Sequence, residues 1–316
     1  MPFTLSHAAA VLPLIRRSGT ARGPLLASAL VAGSFAPDVT YFADSVVPGA
    51  MEFGSFTHSA AGVVTVDVLI TGALLALWLL LREPLVALLP PSRQPRVYGW
   101  VRGRRMKGGL GVREAGAFLL SAVVGSATHV VWDAFTHHDR WGSELLPFLG
   151  GSLAGQPVYR LVQYGSSALA LIALALFSVS AVSAPALPES ALSAPALTES
   201  ARRRTGSGSG SAPECAASAL PELDRRDRRV AGAVLAGGVL LGGVHRCARQ
   251  YAHSGHSWRP GYPGFIDAAL DFVPAACFGA GSGLAAGLVV YATWVRLRGR
   301  GRTGTPDLRR RAPTRT

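Results

Sequence analysis

Apolar runs alternate along the chain with short polar or basic segments, and a helix needs about 20 apolar residues to cross a bilayer. Five runs meet that length: Ala60–Leu81, Glu114–Phe135, Leu161–Val182, Val230–Cys247 and Phe272–Val295. A shorter one, Leu25–Ala36, runs into Pro37-Asp38. Extended to Phe42 it makes a sixth span; otherwise it is a helix that enters and stops at the proline. The predicted fold class is all-α, a polytopic α-helical membrane protein with five or six transmembrane helices. At the N-terminus, Ser6 is placed to cap a short helix from His7 to about Arg17. The segment Ser183–Arg229 repeats S-A-P-A-L and then carries a Gly/Ser tract, a composition that cannot bury a core. The expected organisation is a membrane domain over residues 1–182 and a disordered linker over 183–229. Two further spans over 230–295 and a disordered basic tail over 296–316 complete it.

Composition supports the membrane reading. Of 316 residues, 49% are hydrophobic and 16% charged, which is too apolar for a soluble chain of this length. A formal charge of +13 brings nucleic acid to mind, but the charges sit in blocks between the apolar runs, with few aromatics among them. That is the pattern of cytoplasmic loops, so no nucleic acid is expected and the partner is the lipid bilayer. Arg82–Arg113, Ser183–Arg229 and Arg296–Thr316 then face the cytoplasm, the C-terminus included. Cys215, Cys247 and Cys277 are far apart, form no C-x-x-C unit and receive no role. Pro2–His7 is polar and does not read as a secretory signal.

The polar residues interrupting the apolar runs carry the chemistry. His129, Asp133 and His137 are spaced four apart in T-H-V-V-W-D-A-F-T-H. Each step of four drifts by about 40° around a helix, so imidazole, carboxylate and imidazole share one stripe. Helices present several ligands to one metal ion with that spacing. His58 opens the span from Ala60, Asp38 follows the proline break, Asp67 lies inside a span, and His253 with His256 form an H-x-x-H pair in a Gly/Pro stretch. Ionisable groups at such depth are costly unless paired, wetted or metal-bound. The positive-inside rule puts His58, His129, Asp133, His137 and the His253/His256 loop on the outer side. If the first run crosses, Asp38 lies at its outer end while His7 stays inside; if it does not cross, both are outside.

The motifs P-F-T-L-S-H (Pro2–His7), A-P-D (Ala36–Asp38), F-T-H-S (Phe56–Ser59), T-H-x3-D-x2-T-H (Thr128–His137) and Q-Y-G-S-S (Gln163–Ser167) resemble a bacterial membrane family known as domain-of-unknown-function family 4184. More distantly, their order is similar to inner-membrane metal-dependent hydrolases and to zinc-dependent phospholipases C and single-strand nucleases. That resemblance implies a metal set of His7, Asp38, His58, His129, Asp133 and His137, a divalent cofactor such as zinc, and a place in the bacterial inner membrane. The soluble enzymes also use a later His-x3-Glu pair, which this chain lacks, so one or two ions are expected rather than three.

Two functions follow. One is a membrane-embedded metal-dependent hydrolase of a phosphoester, lipid-linked in one version, at the outer face. Asp133 would bridge ions or act with Asp38, the candidate general base, and His138 and Asp139 would support the stripe. The other is a non-catalytic membrane protein whose metal site serves structure or sensing. A hydrogen-bonded polar cluster without metal is the third alternative.

Overall fold

The computed structural model describes residues 3–102, 111–138, 140–183, 220–253 and 265–302. Apart from one two-stranded hairpin, β1 Ser152–Leu153 and β2 Gln156–Pro157, and an isolated antiparallel bridge between Ile15 and Ala21, the described residues are helical or in turns and loops. Five helices are long and apolar enough to cross a membrane. They belong to a polytopic helical membrane protein. Short helical pieces fill one end of the bundle. In chain order, α1 is Thr4–Leu14, α2 Ala27–Gly33, α3 Val39–Ala43, α4 Gly54–Thr57, α5 Ala60–Val64 and α6 Val66–Ala87. They are followed by α7 Gln94–Arg102, α8 Val112–Ala134, α9 Trp141–Leu145, α10 Val158–Ser183, α11 Arg225–His253 and α12 Phe265–Arg302.

The first apolar run is broken and forms no helix long enough to cross a membrane. Helix α2 ends at Gly33, and a 3-10 turn over Ala36–Asp38 carries Pro37, whose ring cannot donate to a continuing helix. Irregular backbone at membrane depth persists only where other protein groups satisfy it. Here Ser126 Oγ donates to Gly33 O (3.1 Å), His129 Nδ1 bonds Ser34 O (2.7 Å) and Thr57 Oγ1 donates to Pro37 O (2.8 Å). The closeness of α2 to α8 depends on two glycines. A Cβ on Gly33 would stand 2.6 Å from Ala122 O, and one on Gly125 would strike Leu30 O.

The second run also departs from the expected single helix over Ala60–Leu81. Ser59 caps α5 by accepting from Gly62 N–H (3.0 Å), but the chain breaks at Thr65, where φ is −124° and ψ −89°. Four β-branched residues in a row, Val63–Val66, crowd this turn. The Thr65 hydroxyl also takes the Ala61 carbonyl at 2.5 Å. The span therefore restarts as α6 and runs on to Ala87 with Pro84 inside it. At the N-terminus Ser6 is no cap. It lies within a 3-10 turn, donating to Phe3 O at 2.7 Å, and the short helix stops at Leu14.

The two ends of the bundle differ in chemistry. At one, arginines take backbone carbonyls of neighbouring helices. These lie at or beyond the helix ends or, for Leu80, four residues before Pro84, which has no N–H to bond it. Arg228 donates to Leu88 O and Leu89 O (3.0 and 2.8 Å), Arg296 to Leu80 O (2.7 Å), and Arg96 to Val182 O (3.1 Å). Arg298 pairs with Asp227. Helix C-termini attract cations in this way. The other end holds the start of α1, the α2–α5 pieces, the end of α8, the start of α10 and the end of α11, and there the histidines and carboxylates gather. Residues 184–219 and 303–316, most of the expected linker and tail, lie outside the described residues. Helix α11 begins at Arg225, ahead of the expected start at Val230.

Candidate metal centre

Four side chains from three separate parts of the chain meet here. Asp38 comes from the 3-10 turn after α2, His58 from the residue that ends α4, and His129 and Asp133 from successive turns of α8. One donor atom of each lies within 4.8 Å of all the others, and all four residues are buried. His58 Nε2 stands 3.5 Å from Asp38 Oδ1 and 3.4 Å from Asp133 Oδ2. His129 Nε2 stands 3.4 Å from Asp38 Oδ1 and 3.5 Å from Asp133 Oδ2.

Those separations discriminate between two explanations. A direct charge-assisted N–H···O bond prefers about 2.7–2.9 Å, and these contacts are all longer. A tetrahedral zinc ion with nitrogen and oxygen ligands at about 2.0–2.1 Å separates its ligands by about 3.3–3.4 Å. The imidazoles are also turned for ligation. His129 Nδ1 is occupied by Ser34 O (2.7 Å) and His58 Nδ1 by Gly54 O (2.8 Å), which leaves both Nε2 lone pairs facing the carboxylates. A backbone carbonyl on the far nitrogen is the usual support of a metal-binding histidine. His129 Nε2 and Asp133 Oδ1 are buried with no hydrogen-bond partner among the described residues.

His7 and His137 border this group. His7 stacks on His129 at 3.6 Å between ring centroids, and its Nε2 lies 3.4 Å from Asp133 Oδ1. Both His7 ring nitrogens are buried without a hydrogen bond among the described residues. Burial, reinforced by neighbouring His129, lowers its pKa to about 3, so the ring is neutral and carries a lone pair. His137 is lowered to about 4, again by burial. Its Nδ1 lies 3.2 Å from Asp133 O and 3.7 Å from Asp133 Oδ2, and its Nε2 meets the Gln163 amide nitrogen at 3.0 Å. That lone pair is therefore spent on Gln163. The His137 side chain keeps 27% of its surface exposed and is the polar group through which the site reaches the surface.

Other expected contributors lie elsewhere. Asp67 is fully buried in the first turn of α6, its oxygens without a hydrogen-bond partner among the described residues, and it stands outside the group of four. His253 is exposed and bonds Arg249 O of its own helix (2.7 Å). His256 and Asp139 fall outside the described residues. His138 is exposed, its ring 5.6 Å from Tyr159. Cys247 and Cys277 sit on α11 and α12 and take no part in the centre.

Sequence reasoning missed several supporting groups. Thr4 donates to Asp38 Oδ2 at 2.5 Å; its signal was its place in the P-F-T-L-S-H motif. The carbonyls of Ser34 and Gly54 have no side-chain signature at all. The Thr4 bond orients a ligand, and losing such a bond typically costs 10–100-fold in metal affinity. Thr4→Val is therefore expected to weaken zinc binding by about 10–100-fold, read by competition with a chromophoric chelator. An unchanged affinity would contradict the role given to Thr4.

The family model described as Domain of unknown function (DUF4184) matches residues 1–293. No curated protein and no solved structure matches the chain.

Proposed function

The chain belongs to the DUF4184 family, and on that footing we propose that it is a membrane-embedded, metal-dependent hydrolase of a phosphoester. The observation that carries the metal is the set of 3.4–3.5 Å separations among Asp38, His58, His129 and Asp133. The donor set supports zinc and catalysis together. Structural zinc sites are built mainly from cysteine, whereas catalytic ones use histidine and carboxylate. A divalent ion held here would supply Lewis acidity and an activated water near neutral pH.

The residues of the chain do the rest. Asp133 Oδ1, which has no hydrogen-bond partner among the described residues, can take a proton from an attacking water or bind a second ion together with the neutral His7. Asp38 holds its orientation through Thr4, and His137 with Gln163 lines the approach from the surface. We place the centre at the outer face of a bacterial inner membrane and the arginine-rich end in the cytoplasm, following the charge asymmetry of the loops.

A structural metal site is the second reading. It is favoured by the four protein ligands around one point, since a closed set leaves no position for substrate. Elemental analysis of the purified protein, paired with a phosphodiesterase assay on bis(p-nitrophenyl) phosphate, separates the two. About one equivalent of zinc, with turnover that a chelator abolishes and zinc restores, is the expected outcome. Stoichiometric zinc without turnover on that ester or on a lipid phosphoester would favour the structural site. A wild-type protein without metal would remove both.

A further inference from the structure

The chain turns back over the end of α8, and this turn fixes one arginine beside the centre. Gly142 packs against Ala134 O, where a Cβ would not fit. The Trp141 ring sets its edge on Phe135 at 5.2 Å. Ser143 Oγ donates to His137 O (3.2 Å), and Ser143 N–H donates to Arg140 O (2.9 Å). Arg140 is thus anchored next to the turn that carries His137, the polar group leading to the surface.

Arg140 is half-buried, and its guanidinium makes no hydrogen bond or ion pair among the described residues. The other described arginines at this end are engaged. Arg246 and Arg249 are held by Asp44, and Arg160 reaches Gln156 Oε1 at 3.5 Å. Charge balance gives Arg140 a task. Two carboxylates neutralise a divalent ion, and the histidines add nothing in their neutral forms, so the charge of Arg140 remains for a ligand.

The surroundings indicate where that ligand comes from. Trp141, Leu145 and Phe148 are exposed on the segment that follows Arg140, and Val46, Val47 and Phe53 on the loop between α3 and α4. Both loops belong to the end of the bundle that holds the centre. A polar mouth set among exposed apolar loops suits a molecule with a phosphate head and an apolar tail. We propose that Arg140 is the anion-recognising group of this centre and that it holds the phosphate of a lipid headgroup drawn from the adjoining leaflet. The inference rests on the metal-centre reading and names the substrate class of the same site. A guanidinium fork matches two phosphate oxygens, whereas an ammonium does not.

Calorimetric titration of the zinc-loaded protein in detergent tests it, with inorganic phosphate and dihexanoyl phosphatidic acid as probes and zinc content measured in parallel. The wild type is expected to bind the phosphatidic acid more tightly than inorganic phosphate. Arg140→Gln is expected to weaken both by about 10–100-fold, the worth of a charge-assisted hydrogen bond, with zinc content unchanged, and Arg140→Lys to fall between. Equal affinities in wild type and Arg140→Gln, or loss of zinc in that variant, would overturn the role of Arg140. Inorganic phosphate bound as tightly as the phosphatidic acid would overturn the lipid. A wild type that takes up no zinc would instead overturn the metal centre beneath the proposal.

Discussion

His129→Ala protein is expected to purify without metal, whereas His7→Ala protein keeps about one equivalent. The two histidines stack on each other, yet their positions predict opposite results. His129 has no exposed surface, and its Nδ1 is fixed by Ser34 O. Its Nε2 completes the separations to Asp38 and Asp133 that match a tetrahedral ion. Removing it leaves the two buried carboxylates of the group facing one imidazole of that group, His58, while the adjoining His7 reaches the other oxygen of Asp133. His7 approaches Asp133 through Oδ1, not through the Oδ2 that faces His58 and His129, so its loss leaves the four-ligand group whole and removes at most a second ion. Mass-spectrometric metal analysis of both variants, with Asp133→Asn beside them and a thermal melt to confirm folding, reads the difference. Metal retained at the wild-type level in folded His129→Ala and Asp133→Asn would refute the centre. Loss of all metal in folded His7→Ala would show that the group of four is not the unit of binding.

The stripe His129–Asp133–His137 is legible because helical periodicity is a local property. Any residues four apart in a helix share a face, whatever packs against it. The five long spans are legible for the same kind of reason, since hydrocarbon thickness sets their length. What packing decides is not visible in this way. The break at Thr65 comes from β-branched crowding and a side-chain bond to Ala61 O, and the apolar pattern runs straight through it. The stop at Pro37 could be suspected, but whether the run crossed depended on Ser126, His129 and Thr57 being able to satisfy its carbonyls. The meeting of Asp38 and His58 with α8 is a long-range fact, suggested by the charge-derived topology and by family-like motifs and never by spacing. His137 shows the limit most clearly: it lies on the stripe, yet Gln163 from α10 takes its free nitrogen.

Asp44→Ala is expected to cost about 3–5 kcal/mol, the usual effect of removing one partner of a buried ion pair. Asp44 is 4% exposed and Arg246 9%. One Asp44 oxygen takes Arg246, while the other accepts from Gly49 N–H (2.7 Å) and Met51 N–H (3.4 Å). Arg249 adds a bond to Asp44 O at 2.8 Å. The pair joins α11 to the segment that follows Asp38, and α12 grips the same segment. Ser282 Oγ donates to Phe42 O (2.7 Å), and Phe278 lies 5.4 Å from Tyr41 and 5.0 Å from Phe42, ring to ring. Gly281 leaves room for Phe42, whose ring a Cβ there would strike. Tyr41 in turn rests against His58. The C-terminal hairpin therefore braces the metal centre through α3, and loosening it should lower zinc affinity as well as stability. Asp44→Ala leaves Arg246 buried without its counter-charge, which neither water nor hydrocarbon offsets cheaply at this depth. The exchange Asp44→Arg with Arg246→Asp restores opposite charges and is expected to recover part of both losses. Thermal unfolding in detergent and zinc competition measure the set. An Asp44→Ala protein as stable as wild type, or an exchange no better than the worse single variant, would show that this pair does not hold the hairpin to the site.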